Sequence, residues 1–256
     1  MKKITIIGGG NMGGAIARGL VRSGKVTASD ITVSDTSPLV QQRLKNELHG
    51  IYTTADNLSA VRDADIVIFA VKPWLMESVV TAISDAIRDK TIISIAAGIS
   101  LDQLEQWIGK TPLFRLIPNT AISEGESMTL IASRHAGETE ASISELFGAL
   151  GMVLSMPEEK IPAGTALTSC GIAFVLKYIQ AAMQAGIEMG VYPKDAMRMV
   201  AQSVKGAAEL ILNHDTHPAQ EIDKVTTPGG ITIRGINELD HAGFTSAIIQ
   251  AMKKCL

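Results

Sequence analysis

Three glycines, Gly8, Gly10 and Gly13, stand at the spacing with which a backbone can close around a pyrophosphate. They follow the largely β-branched run Ile4-Thr5-Ile6-Ile7 and precede Ala15, Ile16, Ala17 and Leu20, whose spacing predicts a helix. Gly8 permits a tight turn, Gly10 lets the main chain approach the phosphates, and Gly13 lets the helix lie close on the strand. The first N–H groups of that helix lack intrahelical partners, so they can hold an anion. About twenty residues past Gly13, Asp35 ends the second strand, where an acid accepts hydrogen bonds from a free ribose 2′-hydroxyl. An aspartate there repels a 2′-phosphate and no arginine follows it, which tilts the expectation toward NADH within NAD(P)H. Thr36 and Ser37 retain hydroxyls that could serve a phosphate. The competing reading makes Asp35 a plain turn or cap residue before Thr36-Ser37-Pro38.

A second cluster lies far along the chain, in Thr226-Thr227-Pro228-Gly229-Gly230-Ile231-Thr232. A Pro-Gly-Gly turn running into a helix exposes successive N–H groups, which bind a small carboxylate without arginine. Thr232 would add a hydroxyl to the same place. Such a turn also serves simply to join two helices. The histidines, His49, His135, His214, His217 and His241, are scattered, so no metal site is expected.

These residues need a frame. Up to Pro157, short apolar runs alternate with helical stretches. Strands are expected at Ile4–Ile7, Ile31–Ser34, Ile66–Val71, Thr91–Ile95, Leu113–Leu116, Met128–Ala132 and Met152–Ser155. Helices are expected at Ser37–Leu48, Leu75–Ile87 and Leu101–Trp107, the last opened by a Ser100/Gln103 capping box. This alternation predicts a parallel sheet covered on both faces. Beyond Pro157 the strand signal ends. Ala163–Met189 and Lys194–Asn213 read as helices, a third begins near Thr232, and Thr245–Lys253 reaches the C-terminus. The expected architecture is an α/β Rossmann-type dinucleotide-binding domain, 1–157, followed by an all-helical substrate and dimerisation domain, 158–256. Ala166–Leu176 is apolar or small nearly all round and too short for a membrane span, with Lys177 and Glu188 interrupting any extension. Such a helix must be buried on every side. A homo-oligomer formed through these helices meets that need; the plainer alternative is the central helix of a small bundle.

Composition bounds the rest. The chain has 256 residues, of which 46% are hydrophobic, so it can bury a sizeable core. Aromatics are only 4%, which argues against base-stacking platforms, and a net charge of −3 without charge runs suggests neither a nucleic acid nor a membrane partner. Cys170 and Cys255 form no disulfide framework and suit a reducing compartment. The apolar run after Met1-Lys2-Lys3 meets glycine too soon for a signal peptide, so a soluble, cytoplasmic protein is expected.

Several segments together resemble the pyrroline-5-carboxylate reductase family. They are Gly8–Leu20, Ala55-Asp56-Asn57, Ala70–Pro73, Ser94–Gly98, Arg115–Thr120, His217-Pro218 and, most specifically, Val225–Ile233. The resemblance implies hydride transfer from NAD(P)H to 1-pyrroline-5-carboxylate, giving L-proline in the last step of proline biosynthesis. It places Gly8, Gly10, Asn11, Met12 and Gly13 at the pyrophosphate, and Asp35, Thr36 and Asn57 at the adenosine end. Ala70, Val71, Lys72, Pro73, Ala96, Ala97 and Gly98 would line the nicotinamide side, Lys72 through its backbone. Thr227, Gly229, Gly230, Ile231 and Thr232 would form the substrate site, completed across a dimer interface, with Thr232 hydrogen-bonding the ring nitrogen.

The chain departs from the family at Thr168-Ser169-Cys170-Gly171-Ile172-Ala173-Phe174, where relatives read Ser-Gly-Ser-Gly-Pro-Ala-Tyr. It departs again at Ile231, where threonine or alanine is common, and at Asp35-Thr36, where many relatives carry asparagine and arginine. Two other readings stay open: a related imine or β-hydroxyacid oxidoreductase, and an inactive nucleotide-binding relative. The β-hydroxyacid enzymes carry a catalytic lysine where Phe174 and Val175 stand here, and Lys177 comes too late.

Overall fold

The structure is a computed structural model that describes residues Lys2–Leu256. The chain divides into two compact units, Met1–Ser169 and Cys170–Leu256.

The first unit is built on one eight-stranded sheet. Its strands are β1 (Ile4–Ile7), β2 (Ile31–Ser34), β3 (Tyr52–Thr54), β4 (Ile66–Phe69), β5 (Thr91–Ser94), β6 (Leu113–Ile117), β7 (Ser127–Arg134) and β8 (Gly151–Ser155). Their order is β3-β2-β1-β4-β5-β6-β7-β8. The chain therefore runs outward from β1 to β3, then returns to the other side of β1 with β4. Every pairing is parallel except β6 with β7. All four residues of β1 and of β4 are buried, as both-faced covering requires. Alternation along the strands feeds two cores: Ile6, Val33, Ile16 and Leu20 pack on one face, Ile7, Val67, Phe69 and Val80 on the other. Register sets the strand ends level, with Ile7 opposite Ser34 and Phe69. Gly8, Asp35 and Ala70 thus leave the sheet at one edge.

Three helices matter for that edge: α1 (Asn11–Arg22), α2 (Pro38–Glu47) and α3 (Asn57–Val61). Ser37 caps α2, Asp56 caps α3, and the Ser100/Gln103 capping box opens the helix Leu101–Ile108 as expected.

The sequence-based expectation needs four corrections. The antiparallel β7 breaks an otherwise parallel pattern. β3 is absent from the expected strands because it is only three residues long, with Tyr52 exposed. The stretch expected as one helix, Leu75–Ile87, is a 3₁₀ turn at Pro73–Leu75 followed by the short helices Met76–Thr81 and Ser84–Ile87. The β-branched run Val79, Val80, Thr81 and Ile83 disfavours continuation, and the Ile83 N–H bonds the Val80 carbonyl three residues back. Finally, Pro218–Val225 forms an additional helix, capped by the His217 ring nitrogen Nδ1, which accepts from the Ala219 N–H.

The second unit is helical throughout: Gly171–Glu188, Pro193–His214, Pro218–Val225, Ile231–His241 and Phe244–Lys253. The first two pack closely where Gly186 meets Ala196. Among the described residues of this unit only Gly171, Gly186 and Ala196 are buried. Leu176, Met199, Leu212 and Ile249 are instead largely exposed. Within the helical run Glu158–Glu188 the most apolar 18-residue window has a mean hydropathy of 1.4, and the run is long enough to cross a bilayer. The apolar stretch taken alone looks too short because Lys177 interrupts it; the helix itself continues through that residue. Apolar surface on this scale does not stay in water without a partner. We expect the thermal midpoint to rise with protein concentration, and sedimentation to give a mass above one chain. A concentration-independent midpoint with a monomeric mass would refute this.

Candidate active site

The level strand ends open into a cleft of about 620 Å³ between the two halves of the sheet, beyond β1, β2, β4 and β5. Strand order reverses here, which is where open α/β sheets bind their ligands. The glycine turn forms its floor. Gly8 adopts φ +100°, a conformation that favours glycine, and its N–H donates to the Ser34 carbonyl at 2.7 Å. A methyl built on Gly13 would overlap the Gly8 carbonyl oxygen, so α1 approaches the turn only because Gly13 has no side chain. Gly10, by contrast, has nothing within 4 Å of where a methyl would stand. It also caps α1 without any side-chain hydrogen bond, and the first turn carries no acid. The helix start is therefore an uncapped, electropositive end facing the cleft, and it fits a dinucleotide phosphate.

Asp35 ties the glycine turn to the loop after β2. Its carboxylate accepts the Gly9 N–H at 2.7 Å and the Ser37 N–H at 2.8 Å. It thus acts as a turn residue and lines the cleft as well. Two of its roughly four acceptor positions remain for a ribose. Asn57 is oriented by Ser34, whose hydroxyl lies 2.6 Å from Asn57 Oδ1. That bond turns the Asn57 amide nitrogen away from the strand. Ser34 is fully buried and the glycine fingerprint does not mark it; its signal is its place immediately before the strand-end acid. Arg43 is the other residue that sequence spacing hides: from α2 it reaches back to the Gly9 carbonyl at 3.3 Å.

On the far side, Ala70, Val71, Lys72 and Pro73 follow β4, and Ala96 and Ala97 follow β5; all line the cleft. Lys72 is extended at φ −63°, ψ 145°, as a residue before proline should be. Leu75, Val79 and Ile95 add apolar wall that the motifs did not indicate. Gly13 and Gly98 do not line the cleft. Gly13 lies beneath the turn, and Gly98, at φ +78°, turns the chain just past Ala97.

The five residues expected at the substrate lie in the second unit. Gly229 sits at φ +73°, and the Gly230 N–H closes the turn on the Thr227 carbonyl at 2.9 Å. Gly230 then caps the helix Ile231–His241 with no side-chain hydrogen bond, leaving its first N–H groups open. Ile231 and Thr232 are exposed. Of the departures from the family pattern, Thr168 and Ser169 are anchored within the first unit. The Thr168 carbonyl accepts from Asn119 Nδ2 and the Ser169 hydroxyl donates to the Pro118 carbonyl. The carboxylates held below their usual range occupy ion pairs outside the cleft lining: Glu105 by His135 and Arg134, Glu145 by Lys25, Glu221 by Lys224.

Comparison with known proteins agrees with this geometry. The pyrroline-5-carboxylate reductase dimerisation family matches residues 158–256, and the coenzyme F420-dependent NADP oxidoreductase family matches residues 3–98. Pyrroline-5-carboxylate reductase 2 of Dictyostelium discoideum is 37% identical over 98% of this chain and 90% of its own length. The chain belongs to the pyrroline-5-carboxylate reductase family. The same organism's pyrroline-5-carboxylate reductase 1 is 38% identical, and this chain spans 48% of its length. Among solved structures, a Coxiella burnetii pyrroline-5-carboxylate reductase superposes with a TM-score of 0.91 at 28% identity, covering 99% of this chain and 96% of its own. A pyrroline carboxylate reductase of Plasmodium falciparum with NADP bound gives 0.89 at 26%, covering 99% and 95%.

The two glycines differ in a way that can be measured. Gly13→Ala should destabilise the protein by about 1–3 kcal/mol, because the turn must spread. Gly10→Ala should leave the melting temperature nearly unchanged yet weaken NADH binding. Equal effects of the two on a urea midpoint would show that the turn is not under this constraint.

Proposed function

We propose that the protein reduces 1-pyrroline-5-carboxylate to L-proline with NAD(P)H, using residues 1–157 for the cofactor and 158–256 for the substrate and for self-association. The observation that carries the cofactor half is the uncapped start of α1 facing the cleft at the strand-order reversal. When bound there, the reduced nicotinamide supplies the hydride. The protein's own contribution is placement. The N–H groups around Gly10, Asn11 and Met12 hold the pyrophosphate, with Gly13 setting the approach of α1 from beneath, and Asp35, Thr36 and Asn57 hold the adenosine end. Ala70–Pro73 with Ala96 and Ala97 shape the nicotinamide side, whose apolar wall excludes water.

In the helical half, the open N–H groups after Gly229 and Gly230 take the substrate carboxylate, while Thr227 and Ile231 bound the pocket. The Thr232 hydroxyl accepts from the N–H of the protonated ring imine, or orders the water that supplies that proton. The iminium carbon accepts the hydride and the nitrogen keeps its proton, giving the secondary amine of proline. No strong acid is needed, because the protonated imine is already electrophilic. Asp35 favours NADH, as its carboxylate faces the place where a 2′-phosphate would sit. The unpaired Cys170 and Cys255 fit a reducing cytoplasm.

The first test is loss of absorbance at 340 nm with 1-pyrroline-5-carboxylate, run with NADH and with NADPH. Turnover supports the reading; NADH binding without turnover would make the chain an inactive or redirected relative. Thr232→Ala should lower kcat by about one to two orders of magnitude, as expected for a positioned proton-handling group. NADH affinity should hardly change. Equal loss of turnover and NADH affinity would remove Thr232 from the chemistry.

A further inference from the structure

Gly9 is buried in the middle of the glycine turn and carries opposite charges on its two polar groups. Its N–H donates to Asp35 Oδ2 at 2.7 Å, and its carbonyl accepts from Arg43 Nη2 at 3.3 Å. The second contact is long for a charged donor, and a guanidinium has five N–H groups to place. Among the described residues no carboxylate comes within 4.0 Å of the Arg43 side chain. Arg18, also at this corner of the first unit, is committed differently: Glu47 binds it at 2.9 Å. Arg43 is exposed and its charge is unspent, and the Gly9 carbonyl that it reaches lies between two glycines that line the cleft.

Asp35 is in the opposite condition. Both oxygens are tied to main-chain N–H groups of Gly9 and Ser37, so the carboxylate is held in place and partly neutralised. Thr36 lines the cleft beside it and offers a hydroxyl. A neutral ribose hydroxyl can accept only an ordinary hydrogen bond from a guanidinium. A phosphate does, because a planar fork of donors matches its oxygens.

We propose that Arg43 determines cofactor specificity by receiving the 2′-phosphate of NADPH, so that the protein accepts NADPH alongside NADH despite Asp35. Arg43 swings from the neutral Gly9 carbonyl to the dianion, and the Thr36 hydroxyl adds a second donor. This rests on the cofactor reading of the cleft. It places the discriminating cation on the helix after β2, where sequence position alone does not reveal it.

The test uses two nucleotides that differ only by the 2′-phosphate, 5′-AMP and adenosine 2′,5′-bisphosphate. Their binding to the full-length protein is followed by calorimetry and needs no turnover. With Arg43→Gln, bisphosphate affinity should fall about tenfold, the loss of one charge-assisted contact, while 5′-AMP affinity stays within about twofold. Arg43→Lys should recover most of the difference, and the salt dependence of bisphosphate binding should weaken in the Gln variant. A parallel fall for both nucleotides would make Arg43 a buttress of the Gly9 carbonyl and overturn the proposal, as would no fall at all. If the unmodified protein binds neither nucleotide, the cofactor reading fails with it. Melting curves of both variants verify folding.

Discussion

Everything at the cleft depends on how closely α1 can approach the end of β1. A single methyl at Gly13 would collide with the Gly8 carbonyl, so the helix sits at a distance that only a missing side chain permits. That closeness aims the uncapped helix start across the turn, where the partial charge of its N–H groups is useful. It also leaves Gly8 against Ala70 of the next strand, so β1, β4 and α1 meet at one point. Asp35 then fastens the turn to the loop after β2. The candidate anion site is thus made of backbone, held from below by packing and from the side by one carboxylate.

The two units solve the burial problem in opposite ways. The first is self-sufficient: helices cover both sheet faces, and its largest side chains, Phe69, Phe114 and Phe147, are wholly enclosed. The second has alanine and glycine at its only buried positions and leucine, methionine and isoleucine outside. Small residues inside let helices approach closely, and large ones outside need something to cover them. Residues 158–256 match a dimerisation family, with which that distribution is consistent.

Much of this was legible in the sequence, for physical reasons that differ from place to place. The glycine turn could be read because steric demands on Gly8 and Gly13 are local and leave few other choices. β1, β2 and the Ser100 capping box could be read because alternation and capping act over a handful of residues. The direction of β7 could not, since nothing local distinguishes a strand that returns antiparallel from one that crosses over. Nor could the breaks in Leu75–Ile87, where apolar periodicity hides a β-branched run. Ser34 and Arg43 escaped for another reason: each acts through a partner distant in sequence, Asn57 and Gly9. Spacing rules detect motifs, and they do not detect reach.

The central position of β1 has a consequence for how the chain is made. β1 pairs with β2 and with β4, and β4 begins only at Ile66, some sixty residues further along the chain. Until then, an apolar four-residue strand has one open edge and no complete cover. Exposed segments of that kind are the ones that pair with the wrong neighbour during synthesis. Lys2 and Lys3, both exposed, stand directly before it. Charges flanking an unavoidable apolar strand act as gatekeepers, so these lysines have work to do before the fold exists: they keep the nascent strand in solution while it waits for its second neighbour.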